Sequence, residues 1–291
     1  MKCNLCPRNC NAERNDLENL NGYCKMPLLP RVARAALHFW EEPCISGENG
    51  SGTIFFSGCS LGCVYCQNYD LSHNGYGKNI TIERLAEIFY ELEKQGANNI
   101  NLVNPTHYVF AIKKALDIYR PKIPIVYNSS GYDKVQTIKS LGKYIDIYLF
   151  DLKYLSNETA FKYSGAGDYP EVAKKAIIEG YKQKENCVFK DGILQSGLIV
   201  RHLILPQATK TAISVFDWYM ENTPNAIFSV MSQYTPCGDA LLLPPINRNI
   251  TEREYDKVIS YISNKKTDGI YIQDLESSSK KYIPEFNLFG V

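Results

Sequence analysis

Residues 55–70 read Phe-Phe-Ser-Gly-Cys-Ser-Leu-Gly-Cys-Val-Tyr-Cys-Gln-Asn-Tyr-Asp, which places Cys59, Cys63 and Cys66 in a C-x3-C-x2-C run behind a short apolar segment of strand character. Gly58 and Gly62 give the intervening backbone the freedom to turn the thiolates toward one point. Three thiolates are one short of the four that usually close an iron–sulfur cluster or a structural zinc site. Such a set leaves one metal position open, and an open position is where chemistry occurs. Two other readings use the same residues: zinc held by these three with Cys44 as the fourth ligand, and a buried, inert cysteine cluster.

A second set stands at the N-terminus, where Cys3, Cys6, Cys10 and Cys24 follow a C-x2-C-x3-C-x13-C spacing among the turn formers Pro7, Asn9, Asn21 and Gly22. This segment, residues 1–30, has too little apolar surface for a core of its own. A metal would supply the missing folding energy. The four thiolates suit Zn2+, a second iron–sulfur cluster or no metal at all, and spacing does not separate the first two.

From Thr53 onward the chain alternates strand and helix patterns. Strands are expected at 53–57, 99–103, 123–127, 145–150, 198–205 and 226–231, with a peripheral one at 270–273. Thr81 is the expected cap of a helix burying Leu85, Ile88, Phe89 and Leu92. Asp133 is the expected cap of a helix that closes at Gly142, and Thr251-x-x-Glu254 reads as a capping box. Residues 31–40 suggest a short amphipathic turn through Ala33, Ala36, Leu37 and Trp40. Residues 187–196 and 235–249 read as long loops. Six βα units imply a parallel sheet with helices outside it.

In such folds the site lies at the carboxyl ends of the strands. Those ends carry Asn104-Pro105-Thr106-His107, Asn128-Ser129-Ser130, Asp151-Leu152-Lys153, Arg201-His202 and Ser232-Gln233-Tyr234. Each alone reads as a cap, a turn or a surface charge, and a helix-start histidine such as His107 is ordinarily a packing residue. Together they face the same mouth as the three thiolates. Glu41 and Glu42, just upstream of the cluster strand, read first as a solvated pair, while their placement leaves a site role open.

The 291 residues carry 32 Lys and Arg against 31 Asp and Glu, so nothing electrostatic points to nucleic acid or an anionic membrane as partner. No apolar run approaches transmembrane length. Ten cysteines in clustered spacings, behind a polar start without a secretory pattern, argue for metal ligation in a reducing, cytoplasmic setting rather than for disulfides.

The Cys59/Cys63/Cys66 spacing, with an aromatic residue, Tyr65, before the last cysteine, resembles the cluster loop of radical S-adenosylmethionine (radical SAM) enzymes. The stretch from about Arg31 to Ser277 resembles in particular proteins of the pyruvate formate-lyase activating-enzyme type, most closely a branch with four N-terminal cysteines. The residues carrying this likeness are Cys3-Asn4-Leu5-Cys6-Pro7-Arg8-Asn9-Cys10, Trp40-Glu41-Glu42-Pro43, Cys66-Gln67-Asn68, Asn104-Pro105-Thr106-His107, Tyr127-Asn128-Ser129-Ser130-Gly131-Tyr132 and Asp151-Leu152-Lys153-Tyr154.

The resemblance implies an α/β fold, a partial (β/α)6 TIM-like barrel over residues 31–291. It implies a [4Fe-4S] cluster on Cys59, Cys63 and Cys66 whose fourth iron is chelated by SAM. Reductive cleavage of SAM would then give a 5′-deoxyadenosyl radical for hydrogen-atom abstraction. By the likeness Lys153 meets the SAM carboxylate. Arg201 is a second cation for it, Asn104, Asn128, Ser129, Ser130 and Asp151 are acceptors, and Tyr65, Gln67 and Asn68 stand beside the adenine, with Thr106, His107 and His202 further candidates for contact. A flavodoxin- or ferredoxin-type donor would supply the electron. The substrate would be a glycyl residue of a partner enzyme, or else a small molecule or peptide. A non-catalytic iron–sulfur scaffold is the rival. One departure stands out: the activating enzymes end the second strand in Gly-Gly-Glu, and this chain has Asn104-Pro105-Thr106-His107 there.

Overall fold

The computed structural model describes residues 2–17, 21–265, 267–275 and 284–291; Ser277, the end of the stretch resembling the activating enzymes, and residues 18–20 of the N-terminal segment lie outside them. Ten strands form one sheet: β1 (Arg31–His38), β2 (Ser51–Phe56), β3 (Lys78–Asn79), β4 (Ile100–Val103), β5 (Ile125–Ser129), β6 (Ile147–Asp151), β7 (Val188–Lys190), β8 (Ile193–Leu203), β9 (Ile227–Met231) and β10 (Ile270–Ile272). Their order is β10-β9-β8-β6-β5-β4-β2-β1-β3, with β7 paired to β8. The run from β2 to β10 is parallel throughout, β1 joins it antiparallel, and the barrel is not closed.

The period-two alternation of strands decides which side chains meet. On one face Val126, Ile147, Leu149, Ile199 and Ile227 pack with Ile45 and Leu194. On the other Tyr127, Tyr148, Phe150, Val200 and Phe228 pack into the larger core with the helices. The helix Ile82–Lys94 shows how these elements are specified: the Thr81 hydroxyl accepts from the Arg84 N–H, and Leu85, Ile88, Phe89 and Leu92 recur on its buried face. The capping box at Thr251 and Glu254 is present in both directions.

Three sequence expectations are corrected. Residues 31–38 are a strand rather than a helical turn, because backbone partners flank them on both sides. Ala35 pairs with Ile54 of β2, while its N–H donates to the Phe289 carbonyl and Leu288 N–H donates to the Ala33 carbonyl. Asp133 does not cap the helix Val135–Leu141. Its buried carboxylate instead accepts from Tyr127 (2.8 Å) and Ser129 (2.5 Å). Residues 187–196 are no long loop: β7 and β8 form a hairpin across Asp191 and Gly192, both at positive φ, as the Asp-Gly pair of a tight hairpin turn requires. In the 235–249 loop a short 3-10 turn, Gly238–Leu242, stands.

Candidate active site

A cavity of about 760 Å³ opens at the carboxyl ends of the strands, and Cys59, Cys63 and Cys66 all line it. Asn104, Asn128, Asp151, Lys153 and Arg201 line the same cavity. Register explains the gathering. Asp151 pairs with Arg201 across β6 and β8, and Arg201 pairs with Ser229 across β8 and β9, so the three side chains share one face. They stand above the apolar row of Leu149, Ile199 and Ile227 on the same face.

The cysteine loop is held from several sides. Gly58 and Gly62 both have positive φ, and a Cβ at Gly58 would strike Met26, while one at Gly62 would come within 2.8 Å of the Tyr23 hydroxyl. The Leu61 N–H donates to Cys59 Sγ at 3.3 Å, and the Ser164 hydroxyl donates to Cys63 Sγ at 3.1 Å. Tyr65 lies in an aromatic group, its hydroxyl accepting from that of Tyr154 at 2.6 Å. Burial pushes the Cys66 thiol up to about 12, and the neighbouring Cys59 and Cys63 add to the rise. Cys63 is buried and Cys59 and Cys66 are half-buried, and all three line one cavity: a donor set suited to a cationic metal cluster, which favours the thiolate form.

Lys153 and Arg201 are not lone cations. Lys153 Nζ donates to Asp151 Oδ2 at 2.6 Å and Arg201 Nε to Asp151 Oδ1 at 2.8 Å, while Arg201 Nη2 donates to Asn128 Oδ1 at 3.0 Å. Burial would raise the Asp151 carboxyl, but Arg201 and Lys153 outweigh it and hold it down at about 2. Lys153 is raised despite its burial, chiefly by Asp151. Asn104 adopts the left-handed conformation (φ 58°), tolerable for asparagine, and its amide donates to the Gly58 carbonyl, tying the end of β4 to the cysteine loop.

The other predicted residues divide. Gln67, Asn68, Ser129 and Ser130 line the cavity. Thr106, His107 and His202 do not. His202 follows Arg201 in β8, so alternation turns it to the opposite face, where Nδ1 meets the Leu152 carbonyl at 2.6 Å. His107 is buried with Nε2 at 2.7 Å from the Ser57 carbonyl, and Thr106 is buried beside it. Burial lowers both histidines, His107 to about 3 and His202 to about 4. Glu41 and Glu42 are not a solvated pair. Both line the cavity, Glu42 buried and Glu41 half-buried, with Arg201 Nη1 at 3.4 and 3.7 Å from their carboxylates. Their placement before the cluster strand leaves a site role open, but only the fold brings Arg201 to them. Cys44 lies elsewhere, packed with Ile45, Val126 and Leu149, so it is no fourth ligand to the loop. Cys237 lies beside the loop and donates to the Cys66 carbonyl at 3.2 Å.

Of the N-terminal cysteines, Cys3 and Cys6 are buried, Cys24 is half-buried and Cys10 is exposed. Burial pushes the Cys6 thiol up to about 12, with Cys24, Cys3 and Cys10 each adding to the rise. Arg8 anchors this segment to the cysteine loop: it donates to the carbonyls of Ser60 (2.8 Å), Leu61 (2.9 Å), Ser164 (3.0 Å) and Gly165 (2.6 Å), and its guanidinium stacks 3.8 Å from the Tyr23 ring centroid. A second cavity of about 480 Å³ lies between segment and loop, lined by both Cys24 and Cys59.

Among the described residues no helix is long and apolar enough to cross a membrane. Comparison with known proteins agrees with the geometry. The radical SAM superfamily model matches residues 53–186. The "uncharacterized protein MJ0674" of Methanocaldococcus jannaschii is 30% identical over 279 residues, spanning 92% of this chain and 76% of that protein. Two solved structures of Streptococcus suis SuiB share the fold. The one bound to S-adenosylmethionine superposes with a TM-score of 0.52 at 17% identity, covering 74% of this chain and 48% of SuiB. The one bound to precursor peptide SuiA gives 0.51 at 16% identity, covering 75% and 47%. This chain thus spans about half the length of SuiB. The family match begins inside β2, takes in the cysteine loop and runs through Asp151 and Lys153, and on these grounds the chain belongs to the radical SAM superfamily.

Proposed function

We propose that this protein abstracts a hydrogen atom from a substrate held in the 760 Å³ cavity. The observation that carries the reading is that one cavity is lined both by Cys59, Cys63 and Cys66 and by the Asp151–Lys153–Arg201 network. Superfamily membership implies a [4Fe-4S] cluster and SAM, and these three cysteines would hold the cluster. When bound, the pair supplies reductive SAM cleavage and a carbon radical capable of abstracting hydrogen.

The chain's own residues orient and exclude. Lys153 Nζ has capacity for a carboxylate beyond its bond to Asp151, and Asp151 sets its position. Arg201, fixed by Asp151 and Asn128, holds the floor. Asn104 and Ser130 offer hydrogen-bonding groups at the strand ends, and Tyr65 and Leu61 close the side beneath the loop. The Asn104-Pro105-Thr106-His107 segment in place of Gly-Gly-Glu means that the SAM ammonium finds another acceptor here.

The substrate is a residue of a polypeptide or a small molecule reaching the mouth; a glycyl residue of a partner enzyme is the first candidate. A precursor peptide bound to SuiB, a protein of the same fold, supports a peptide as the second. A flavodoxin- or ferredoxin-type protein supplies the electron. Cys3, Cys6, Cys10 and Cys24 hold Zn2+ or a second cluster that fixes the N-terminal segment to the loop. The test is anaerobic purification, reduction and addition of SAM. A brown protein that forms 5′-deoxyadenosine is the expected result; a colourless protein carrying only zinc, with SAM left intact, would overturn the reading.

A further inference from the structure

Beyond hydrogen abstraction, the cavity floor carries a charge arrangement that selects what it holds. Glu41 and Glu42 sit on the turn between β1 and the helix Pro43–Ser46, and that turn is tightly fixed. The Glu41 N–H donates to Ser46 Oγ at 3.0 Å, and the Glu42 carbonyl accepts from Ile45 (2.8 Å) and Ser46 (3.0 Å). Three carboxyl groups, Glu41, Glu42 and Asp151, face two cations, Lys153 and Arg201; burial pushes the Glu41 carboxyl up to about 7, against the pull of Arg201 and with Glu42 adding to the rise, so a further cation beside it would favour its ionised form. Asp151 is satisfied, one oxygen by each cation. Arg201 then has little left. Nε serves Asp151 and Nη2 serves Asn128, so Nη1 alone approaches both glutamates, at 3.4 Å to Glu41 and 3.7 Å to Glu42.

The Glu42 side chain is only 6% exposed, and its Oε2 makes no hydrogen bond. That same oxygen stands 3.7 Å from Arg201 Nη1, an ion pair without a hydrogen bond, and a buried carboxylate held only in this way is costly. His38, which also lines the cavity, is held below its ordinary value by burial and Arg34, so it brings no charge at neutral pH. An anion here would be repelled, and a neutral group would leave the deficit in place. At the lip Phe39 and Trp40 are exposed, Trp40 by 63%, and their ring faces favour a cation as well.

We infer that Glu41 and Glu42 form a subsite for an organic cation, the ammonium or guanidinium group of the substrate. This rests on the reading of the cavity as the substrate site of a radical SAM enzyme. An alkylammonium has three donors and a guanidinium five, enough to engage both carboxylates at once. The cation comes from a free amine or from a lysine or arginine side chain of a polypeptide.

Ligand-observed NMR on the anaerobic, full-length protein, without turnover, tests this. The probes are n-butylammonium and n-butylguanidinium against n-butanol, with acetyl-Gly-Lys-Gly-amide against its norleucine counterpart, and KCl as competitor. The cations are expected to bind at least about tenfold more tightly than n-butanol, and Glu42→Gln and Glu41→Gln to remove that preference while SAM affinity holds. The lysine peptide binding more tightly than butylammonium assigns the cation to a polypeptide; the reverse assigns it to a free amine. Equal binding of butanol and butylammonium to the wild type overturns the subsite, and needs no variant to fold. Displacement of the amine by millimolar K+ overturns it in favour of an inorganic ion. Loss of SAM affinity in Glu42→Gln overturns it by assigning the acids to SAM. Formation of 5′-deoxyadenosine by the same preparation separates the two ideas: cleavage without cation preference sinks only the subsite, and no cleavage sinks the reading beneath it.

Discussion

The molecule holds two groups of thiols that border one shared cavity through Cys24 and Cys59 and yet differ in what surrounds them. Cys59, Cys63 and Cys66 face a cavity ringed by Asp151, Lys153 and Arg201 at the strand ends and by Glu41 and Glu42 from the turn after β1. Cys3, Cys6, Cys10 and Cys24 stand in a turn-rich segment, where Arg8 and Arg14 spend their guanidinium donors largely on backbone carbonyls and no polar strand ends converge. A three-donor set with an open side suits chemistry. A thiol's role is therefore read from what the fold places opposite it, and not from its spacing alone.

The largest effect should follow from breaking the first site. Cys63→Ala is expected to remove the cavity's iron and reduce SAM cleavage below detection, while metal at the N-terminal segment stays; elemental analysis and product chromatography check both. Lys153→Ala should weaken SAM binding by about 10- to 100-fold, the loss of one charge-assisted bond, and leave the cluster spectrum intact. Unchanged affinity would remove Lys153 from the site.

Arg8 joins the two regions, so Arg8→Ala should uncouple them. Loss of four carbonyl contacts and the Tyr23 stack should cost about 2–4 kcal/mol in denaturant unfolding, and expose residues 1–30 to protease before the barrel yields. Simultaneous proteolysis of both regions would show that they form one cooperative unit.

A smaller effect comes from the buried histidines behind the site. His107 and His202 are held neutral, at about 3 and about 4, below the ordinary value of about 6.5. The unfolded chain takes up their protons first as pH falls. Stability is thus full above pH about 6.5 and declines below it by up to about 1.4 kcal/mol per pH unit for each, until the folded values are reached. His202→Gln should flatten that slope, read from unfolding midpoints between pH 7 and 5.

Much of this arrangement was legible in the sequence. The βα rhythm gave the parallel sheet, because apolar runs and helix caps act locally, as at Thr81 and Thr251. The strand-end rule found Asn128, Asp151, Lys153 and Arg201. Alternation within β8 could also have told Arg201 from His202, since adjacent residues of a strand face opposite ways. The Asp191-Gly192 pair likewise signalled the hairpin. Other features depend on distant partners. The strand character of residues 31–38 comes from β2 and the C-terminal residues 288 and 289, and the burial of Glu41 and Glu42 comes from Arg201, 160 positions away from Glu41. Asp133 left its helix because Tyr127 and Ser129 offered it better donors. No local pattern carries such competition.

The division of labour between the two thiol groups is tested most directly by SAM cleavage with dithionite as reductant, measured on wild type, Cys63→Ala and the double variant Cys3→Ala/Cys6→Ala. The wild type and the N-terminal double variant should both yield 5′-deoxyadenosine, the latter after losing one metal centre, and Cys63→Ala should yield none. Cleavage surviving in Cys63→Ala, or vanishing in a folded N-terminal variant that keeps its cavity iron, would contradict the account.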